Sequence, residues 1–588
     1  MATESKQLSV LVLGEDTRSF LSVIRSLGQA GYQVHVVCYD RTSAALKSKY
    51  IKAAYFYNYQ SCSQTEWLNN VVKLIEWYQY DLVIPCDERS IYPLWSAKDN
   101  LPPQTKLAIS NSVGLDILFD KWKTKEAALA CQIPVAQGKR VYLSQISYSE
   151  LVKEFGERFV IKPLQSFEET NLSQRQKVLI VHSEQEYNKY RKQSYSEQVY
   201  LIEAFFAGRG EGVSVFSVNG EVHAAFAHSR VAEPTSGGGS SYRKSIELGS
   251  ELLKATKDLC HYTGFTGVAM FEFRRNPDTH AWILVEVNAR FWGSLPLAVF
   301  SGVDFPRLYA DYLVKGLLPT SPITSYRYQN TARALIADLY EIKREFEQSR
   351  EEMTNLKAIS KTALRLFQVL KILSPSETVD SFHRLDIGPF IAELTILSKT
   401  FAGALLKNNK IRLRLRRIQT RHKLRKLMLA DSNRRIVFVC FGNIMRSPFA
   451  EACMKSLIAE INTDIQCDSF GFHMHEQRFS PDDAVKAASE LDYDIAEHRS
   501  KWLTQSDVNE SDILIYFDES NHQKLRSYYR INHAFCAADL VEARLPLIPE
   551  IEDPYGKSVD EIKGCYQKIS SAVNGLSDIV KEVQLCLR

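Results

Sequence analysis

The chain has 588 residues, 45% of them hydrophobic, with 73 Lys and Arg against 69 Asp and Glu. That length predicts about three or four domains of roughly 100–200 residues each, and a net charge of only +4 gives no global field for nucleic acid. The 11 cysteines are scattered without a CxxC pair, which argues against a disulfide framework and for a reducing, cytoplasmic setting.

Met1–Lys6 leads straight into a strand, so no secretory leader is expected, and no apolar run approaches the roughly 18 residues of a membrane span. The apolar run Ser9–Gly14 reads as a buried parallel strand, followed by a helix over Phe20–Ala30 and a second strand over Gln33–Cys38. Strands at Asp81–Pro85 and Lys106–Ser110 continue the alternation, which predicts a parallel α/β domain over 1–112. The lone Gly14 turn lacks the three spaced glycines of a dinucleotide site and fits a scaffold role.

From residue 113 onward, charged residues recur at the ends of strands. Asp120-Lys121 opens a helix, Phe159–Pro163 carries Lys162 at a strand end, and Val199–Phe206 carries Glu203. Met270–Phe273 and Leu284–Arg290 form two further strands. Glu286 and Asn288 share a face by the two-residue period of a strand. With Glu272 they offer hard oxygen ligands suited to Mg²⁺ between nucleotide phosphates.

This order, and the Glu286-x-Asn288-x-Arg290 element above all, resembles the ATP-grasp superfamily over about 113–315, with 1–112 as its usual preceding domain. The resemblance implies that Lys121 and Lys162 contact ATP phosphates, that Glu203 and the backbone near Phe205 hold adenine, and that Glu211 meets the ribose. It makes Glu272, Glu286 and Asn288 the Mg²⁺ ligands. Arg290, and Arg230 ahead of Ser236–Ser241, would steady an acyl-phosphate or a substrate carboxylate. One departure is the loop after Lys162 (Gln165–Glu169), which lacks the glycines that usually cover the phosphates; the Ser236–Ser241 run is the candidate substitute.

Residues 331–432 read as a mainly helical linker region. Its basic segment 407–426 places Ile411, Leu415 and Ile418 on one helix face with arginines opposite. The favoured reading is a linker helix that packs this stripe on a neighbouring domain. An anionic membrane surface or an acidic partner is the alternative; nucleic acid is not expected, because no aromatic platform or reading motif accompanies the charge.

The last quarter opens on Val439-Cys440-Phe441-Gly442-Asn443-Ile444-Met445-Arg446-Ser447-Pro448. A strand running into a cysteine, then a loop and a helix start, makes a cradle of backbone N–H groups for a phosphate-like anion. A cysteine facing it is drawn toward thiolate, and an arginine six positions on can grip two oxygens with its planar fork. Asp553-Pro554-Tyr555-Gly556 supplies an acid for the leaving oxygen.

Over about 433–588 these residues resemble the low-molecular-weight protein tyrosine phosphatase family. The resemblance makes Cys440 the nucleophile, Arg446 the phosphate clamp and Asp553 the general acid. Gly442, Asn443, Ser447, Ser469 and His498 match the loop and its network, and Asp518 matches an acidic position after the next strand. Met445 stands where eukaryotic members often carry a second cysteine, so a protective disulfide there is not expected. Arsenate reductases share the fold but use extra paired cysteines late in the domain; Cys536, Cys565 and Cys586 are too widely spaced to suggest such a pair, which leaves arsenate as a minor alternative.

The expected architecture is therefore multidomain α/β: a Rossmann-like pre-ATP-grasp domain (1–112), an ATP-grasp domain (113–330), the helical linker (331–432) and a doubly wound parallel-sheet phosphatase domain (433–588). The expected function is bifunctional: an ATP- and Mg²⁺-dependent ligase joining a carboxylate to an amine, and a phosphomonoester or phosphotyrosine phosphatase. A nucleotide-sensing module that regulates the phosphatase, or a membrane-surface scaffold, is the alternative. Phosphatases of this family often accompany bacterial polysaccharide assembly, so a role in decorating a surface polymer follows from resemblance alone. The expected location is cytoplasmic, with a peripheral membrane association left open.

Overall fold

The computed structural model describes residues 7–167, 171–193, 198–233, 239–352, 355–369, 372, 374–431, 434–461, 463–542 and 546–587. The chain forms two compact units: Met1–Cys38, Ser43–Phe56 and Gln64–Thr395 make one, and Tyr39–Thr42, Tyr57–Ser63 and Ile396–Arg588 the other.

The first unit begins with strands β1 (Ser9–Gly14), β2 (Gln33–Cys38), β3 (Ile51–Phe56), β4 (Leu82–Pro85) and β5 (Lys106–Leu107). They form a parallel sheet in the order β3-β2-β1-β4-β5, the Rossmann order around a first strand. Val10–Leu13 are fully buried because helices cover both faces of such a sheet. Gly14 serves packing here: a Cβ on it would meet the Phe20 ring at 2.9 Å.

Strands β6 (Gly138–Tyr142), β7 (Phe159–Pro163), β8 (Leu179–Val181) and β9 (Val199–Ala204) follow, forming an antiparallel sheet in the order β6-β9-β7-β8. A seven-stranded sheet is then built from β10 (Arg209–Val218), β11 (Glu221–Ala232), β12 (Tyr242–Ser245), β13 (Gly267–Arg275), β14 (Trp282–Asn288), β15 (Thr331–Arg333) and β16 (Glu377–Val379), in the order β14-β13-β10-β11-β12-β15-β16. The β10–β11 hairpin turns at Asn219-Gly220, where φ values of 51° and 84° match a two-residue turn whose central residues both need positive φ.

The 331–432 segment is mainly helical, as expected, with helices Leu335–Glu352, Asn355–Val369, Gly388–Leu406 and Lys410–Ala430, and it also supplies the short strands β15 and β16. Both are welded into the first unit by charge. Arg333, fully buried, meets Glu377 at 3.0 Å and also pairs with Asp338; Arg243 pairs with Asp380, and Arg25 holds Asp386 at 2.9 Å. Buried arginines keep their charge only where carboxylates satisfy them, so these pairs fix where 331–386 must lie.

In the second unit, β17 (Ile436–Cys440), β18 (Cys467–Gly471), β19 (Ile513–Tyr516) and β20 (Ala534–Cys536) form a parallel sheet ordered β18-β17-β19-β20. The order reverses at β17, and its C-terminal end is where such sheets open a ligand crevice. Helix Arg446–Ile461 follows, with Pro448 in its first turn, where the missing N–H costs nothing. It packs on the long helix Val559–Leu587, with the Phe449 and Tyr566 rings stacked at 3.9 Å.

The basic helix Lys410–Ala430 also packs here, but by the face opposite to the one expected. Leu413, Arg417, Thr420, Leu424 and Met428 are buried, whereas Ile411, Leu415 and Ile418 are 73%, 54% and 56% exposed. Arg416 turns inward to Asp539 at 2.6 Å, and Arg421 donates to the Leu540 and Gly575 carbonyls. Among the described residues, no helix is long and apolar enough to cross a membrane.

Candidate active sites

In the first unit, β13 and β14 pair so that Glu272 lies opposite Glu286 and Met270 opposite Asn288. Asn288 Nδ2 reaches Glu286 Oε1 at 3.4 Å, so the three predicted oxygen ligands cluster. Arg230 on β11 meets Glu272 Oε1 at 2.6 Å. Burial raises the Glu272 carboxyl above its usual range, and neighbouring Glu286 adds to this against the pull of Arg230. Burial opposes ionisation of Glu286 too, but Lys121, Lys162 and Arg230 outweigh it and hold that carboxyl low. Two carboxylates and an amide oxygen suit Mg²⁺ chemically.

Lys162, near the end of β7, meets Glu203 Oε2 at 2.6 Å and donates to the Val285 carbonyl at 3.3 Å. Lys125 meets the other oxygen, Glu203 Oε1, at 2.8 Å. All three side chains are buried. Lys125 is absent from the sequence expectations, although it lies one helical turn beyond Lys121 on Lys121–Ala130. Burial pushes the Lys121 ammonium down, with Glu286 and Glu88 opposing and Lys162 repelling it. Lys162 itself is raised, because Glu203 outweighs burial.

Glu211 stands apart from this cluster. Glu211 pairs across from Phe273 while Gly212 pairs across from Glu272, so strand alternation puts Glu211 on the opposite face, where Arg275 meets it at 3.4 Å. The structure therefore does not bring the expected ribose residue to the carboxylates. Arg290 is held by Glu88 at 2.9 Å, at the start of helix Glu88–Ser96, and donates to the Phe291 carbonyl at 2.8 Å. Phe205, just beyond β9, is covered by the Arg158 guanidinium at 3.9 Å. Glu168 and Glu169 of the loop after Lys162, and Ser236–Gly238 of the serine–glycine run, lie outside the described residues.

In the second unit, Cys440 ends β17 and is buried. Its Sγ lies 3.1 Å from Ser447 Oγ and accepts the Asn443 N–H at 3.3 Å. Asn443, at φ 50°, turns its amide to donate to Ser447 Oγ and Ser469 Oγ, both at 2.9 Å. Its carbonyl lies 2.9 Å from His498 Nε2, and its Oδ1 accepts the Lys501 N–H at 2.7 Å. Burial lowers the His498 pKa, so the ring is neutral around pH 7 and can donate from Nε2 to that carbonyl.

Arg446 is 1% exposed and donates to Asp518 Oδ2 at 2.6 Å, to the Ile551 carbonyl at 3.1 Å and to Asp553 Oδ2 at 2.7 Å. Burial works against its charge, but Cys440, Asp553 and Asp518 outweigh it and raise its pKa. Asp518 also caps helix Glu519–Tyr528 by accepting the Asn521 N–H at 2.7 Å. Met445 is buried in the hydrophobic core and offers no redox partner to Cys440.

Sequence reasoning missed two supports of the loop. Glu451 accepts from Ser469 Oγ at 2.5 Å, and Arg478 donates to the Gly442 carbonyl at 2.5 Å. Glu451 follows Ser447 by one helical turn, which is a readable signal; Arg478 lies in an irregular loop and gives none.

Residues 435–585 match the family model for low molecular weight phosphotyrosine protein phosphatase. A porcine member, from Sus scrofa, is 30% identical over 148 residues, covering 24% of this chain and 92% of the relative. The chain belongs to this family through its C-terminal domain. A Dictyostelium discoideum phosphatase is 29% identical over 175 residues, covering 26% of this chain and 98% of the relative. Residues 196–334 match the model for ATP-grasp in the biosynthetic pathway with Ter operon, so the N-terminal half carries an ATP-grasp domain. A solved N5-carboxyaminoimidazole ribonucleotide synthetase with ADP is 14% identical, covering 56% of this chain and 82% of that one at a TM-score of 0.43. The chain thus joins two families of enzymes, and the ATP-grasp match spans Glu203, Arg230, Glu272, Glu286, Asn288 and Arg290.

Proposed function

We propose that the chain is a bifunctional enzyme. Its first unit uses Mg²⁺-ATP to activate a small-molecule carboxylate as an acyl-phosphate, which an amine or similar nucleophile then displaces. Its second unit hydrolyses a phosphomonoester of the phosphotyrosine type. The observation that carries the ligase reading is the convergence of Glu272, Glu286 and Asn288 on one strand pair, with Lys121 and Lys162 facing the same charge cluster.

Lys121 and Lys162 bind the nucleotide phosphates, and Glu203, fixed between Lys125 and Lys162, orients Lys162 and borders the adenine pocket beside Phe205. Glu272, Glu286 and Asn288 would hold Mg²⁺, which when bound neutralises phosphate charge. Arg230 and Arg290 face the acid substrate; each already holds a carboxylate, so each is oriented to receive one.

In the phosphatase, Cys440 Sγ attacks phosphorus as the bond to the leaving oxygen breaks, and Asp553 gives that oxygen its proton. Arg446 grips two of the transferring oxygens with its fork. Asp553 then takes a proton from water, the water oxygen attacks phosphorus, and the S–P bond breaks to release phosphate and regenerate the thiolate. Ser447 and the Asn443 N–H stabilise the charge on Sγ throughout.

ADP release with Mg²⁺-ATP across paired acids and amines tests the ligase, with Glu286→Ala as the blank. Release that needs one acid–amine pair and vanishes in the variant supports it, whereas nucleotide binding without release under any pair refutes it. Unchanged p-nitrophenyl phosphate turnover in Cys440→Ser would overturn the nucleophile assignment.

A further inference from the structure

The basic helix Lys410–Ala430 presents an outer face that the enzyme chemistry leaves unused. On a helical projection Ile411, Leu415, Ile418 and Leu429 fall on one line, and Leu429 is 40% exposed. Arg414 and Arg425 flank this line on one side and Arg412, Lys423 and Lys426 on the other, all exposed. The line runs about 27 Å at 1.5 Å per residue.

The charge of this region is one-sided. Between Glu393 and Asp431 the sequence has 11 Lys and Arg and no Asp or Glu. Arg425 reaches Glu582 only at 3.7 Å, and among the described residues Lys410, Arg414, Lys423 and Lys426 meet no carboxylate. The opposite face is fastened to the domain by Leu413, Thr420, Leu424 and Met428 and by the inward Arg416. The apolar stripe therefore cannot rotate inward to be buried.

We propose that this outer face lies on a lipid bilayer bearing anionic headgroups. The apolar line enters the boundary of headgroups and acyl chains, and the flanking cations meet the lipid charge on either side, as an interfacial helix requires. Among occupants, charge complementarity selects an anionic sheet: cations border the stripe along its whole length, and a second copy of the same face would set cation against cation.

The test is co-sedimentation of the full chain with sucrose-loaded vesicles of phosphatidylcholine, with and without phosphatidylserine. Binding should require phosphatidylserine and weaken as salt rises. Ile411→Ser/Leu415→Ser/Ile418→Ser should weaken partitioning by about a hundredfold, at about fivefold for each half-exposed side chain. Arg414→Ala and Lys426→Ala should each cost about fivefold. Turnover of p-nitrophenyl phosphate, unchanged in every variant, reports an intact fold. Absence of vesicle binding overturns the proposal, as does binding that survives loss of the apolar stripe. A dimer in sedimentation velocity that Ile418→Ser dissolves, without vesicle binding, would assign the face to a second copy and equally overturn it.

Discussion

Asp553→Asn separates chemistry from stability in the phosphatase. The carboxylate meets Arg446 at 2.7 Å, but its side chain is 45% exposed, so the ion pair contributes at most about 1 kcal/mol to folding. Arg446 keeps Asp518 at 2.6 Å and the Ile551 carbonyl at 3.1 Å, which hold its fork in place without Asp553. The unfolding midpoint should therefore move little. Loss of the general acid should cost roughly 10²–10⁴-fold in the step that expels a basic leaving group, or about 2.7–5.4 kcal/mol of barrier. Phenyl phosphate, whose phenolate needs a proton, should show the full loss; p-nitrophenyl phosphate, whose leaving group is stable as the anion, should show much less. Because Asp553 also serves as base in the later hydrolysis common to both substrates, kcat/KM, which ends at formation of the phosphocysteine, is the quantity compared between the two substrates, beside a denaturant titration. An equal loss on both substrates, or a loss below about tenfold on phenyl phosphate, refutes Asp553 as the proton donor.

The other predictions concern packing, buried charge and pH. Gly471→Ala puts a Cβ 2.7 Å from the Asn443 nitrogen and 2.9 Å from the Gly442 carbonyl carbon, so it should displace the loop and abolish p-nitrophenyl phosphate turnover while circular dichroism stays native; full turnover would contradict the loop geometry. Glu203→Gln leaves Lys125 and Lys162 buried without their counter-charge and should destabilise the first unit by about 3–5 kcal/mol in denaturant titration. Lys125→Met should restore part of that loss, whereas simple additivity of the two losses would show that the lysines do not share Glu203. Burial, with Arg230 and Arg243 beside it, lowers the His228 pKa to about 3, so the folded state keeps the ring neutral. The unfolded chain binds that proton first, so this contribution is full above about pH 6.5 and is lost as pH falls toward 3, at up to about 1.4 kcal/mol per unit. Stability of His228→Phe should fall less steeply with acid than that of the native chain, and parallel slopes would refute this.

The sheets were legible where hydrophobic runs were continuous and strands alternated with helices: β1, β2 and β4 appear where Ser9–Gly14, Gln33–Cys38 and Asp81–Pro85 placed them. The helices of 331–432 were legible too, but its two strands were not, because they are three residues each and are held by long-range pairs of Arg333 with Glu377 and Arg243 with Asp380. No local period records such a pair. The basic helix misled for a different reason. Ile411, Leu415 and Ile418 predicted the buried face, yet the helix carries a second apolar row, Leu413, Leu424 and Met428, and that row is the buried one, fastened beside it by Arg416 and Thr420 on Asp539.

The same division runs through the two sites. Cys440, Arg446, Glu286 and Asn288 are legible because their chemistry demands particular side chains at short spacing after a strand. The groups that hold them come from far along the chain: Glu88 lies 202 residues from Arg290, and Lys125 lies 78 from Glu203. A residue that only fixes another needs one donor or acceptor at about 3 Å, and many side chains on many segments can supply that. Its identity is therefore weakly constrained by chemistry and strongly by the fold. Glu211 marks the converse limit. The two-residue alternation of β10 sets it on the face of Arg275 and away from Glu272, a placement that depends on register and that side-chain type alone does not record.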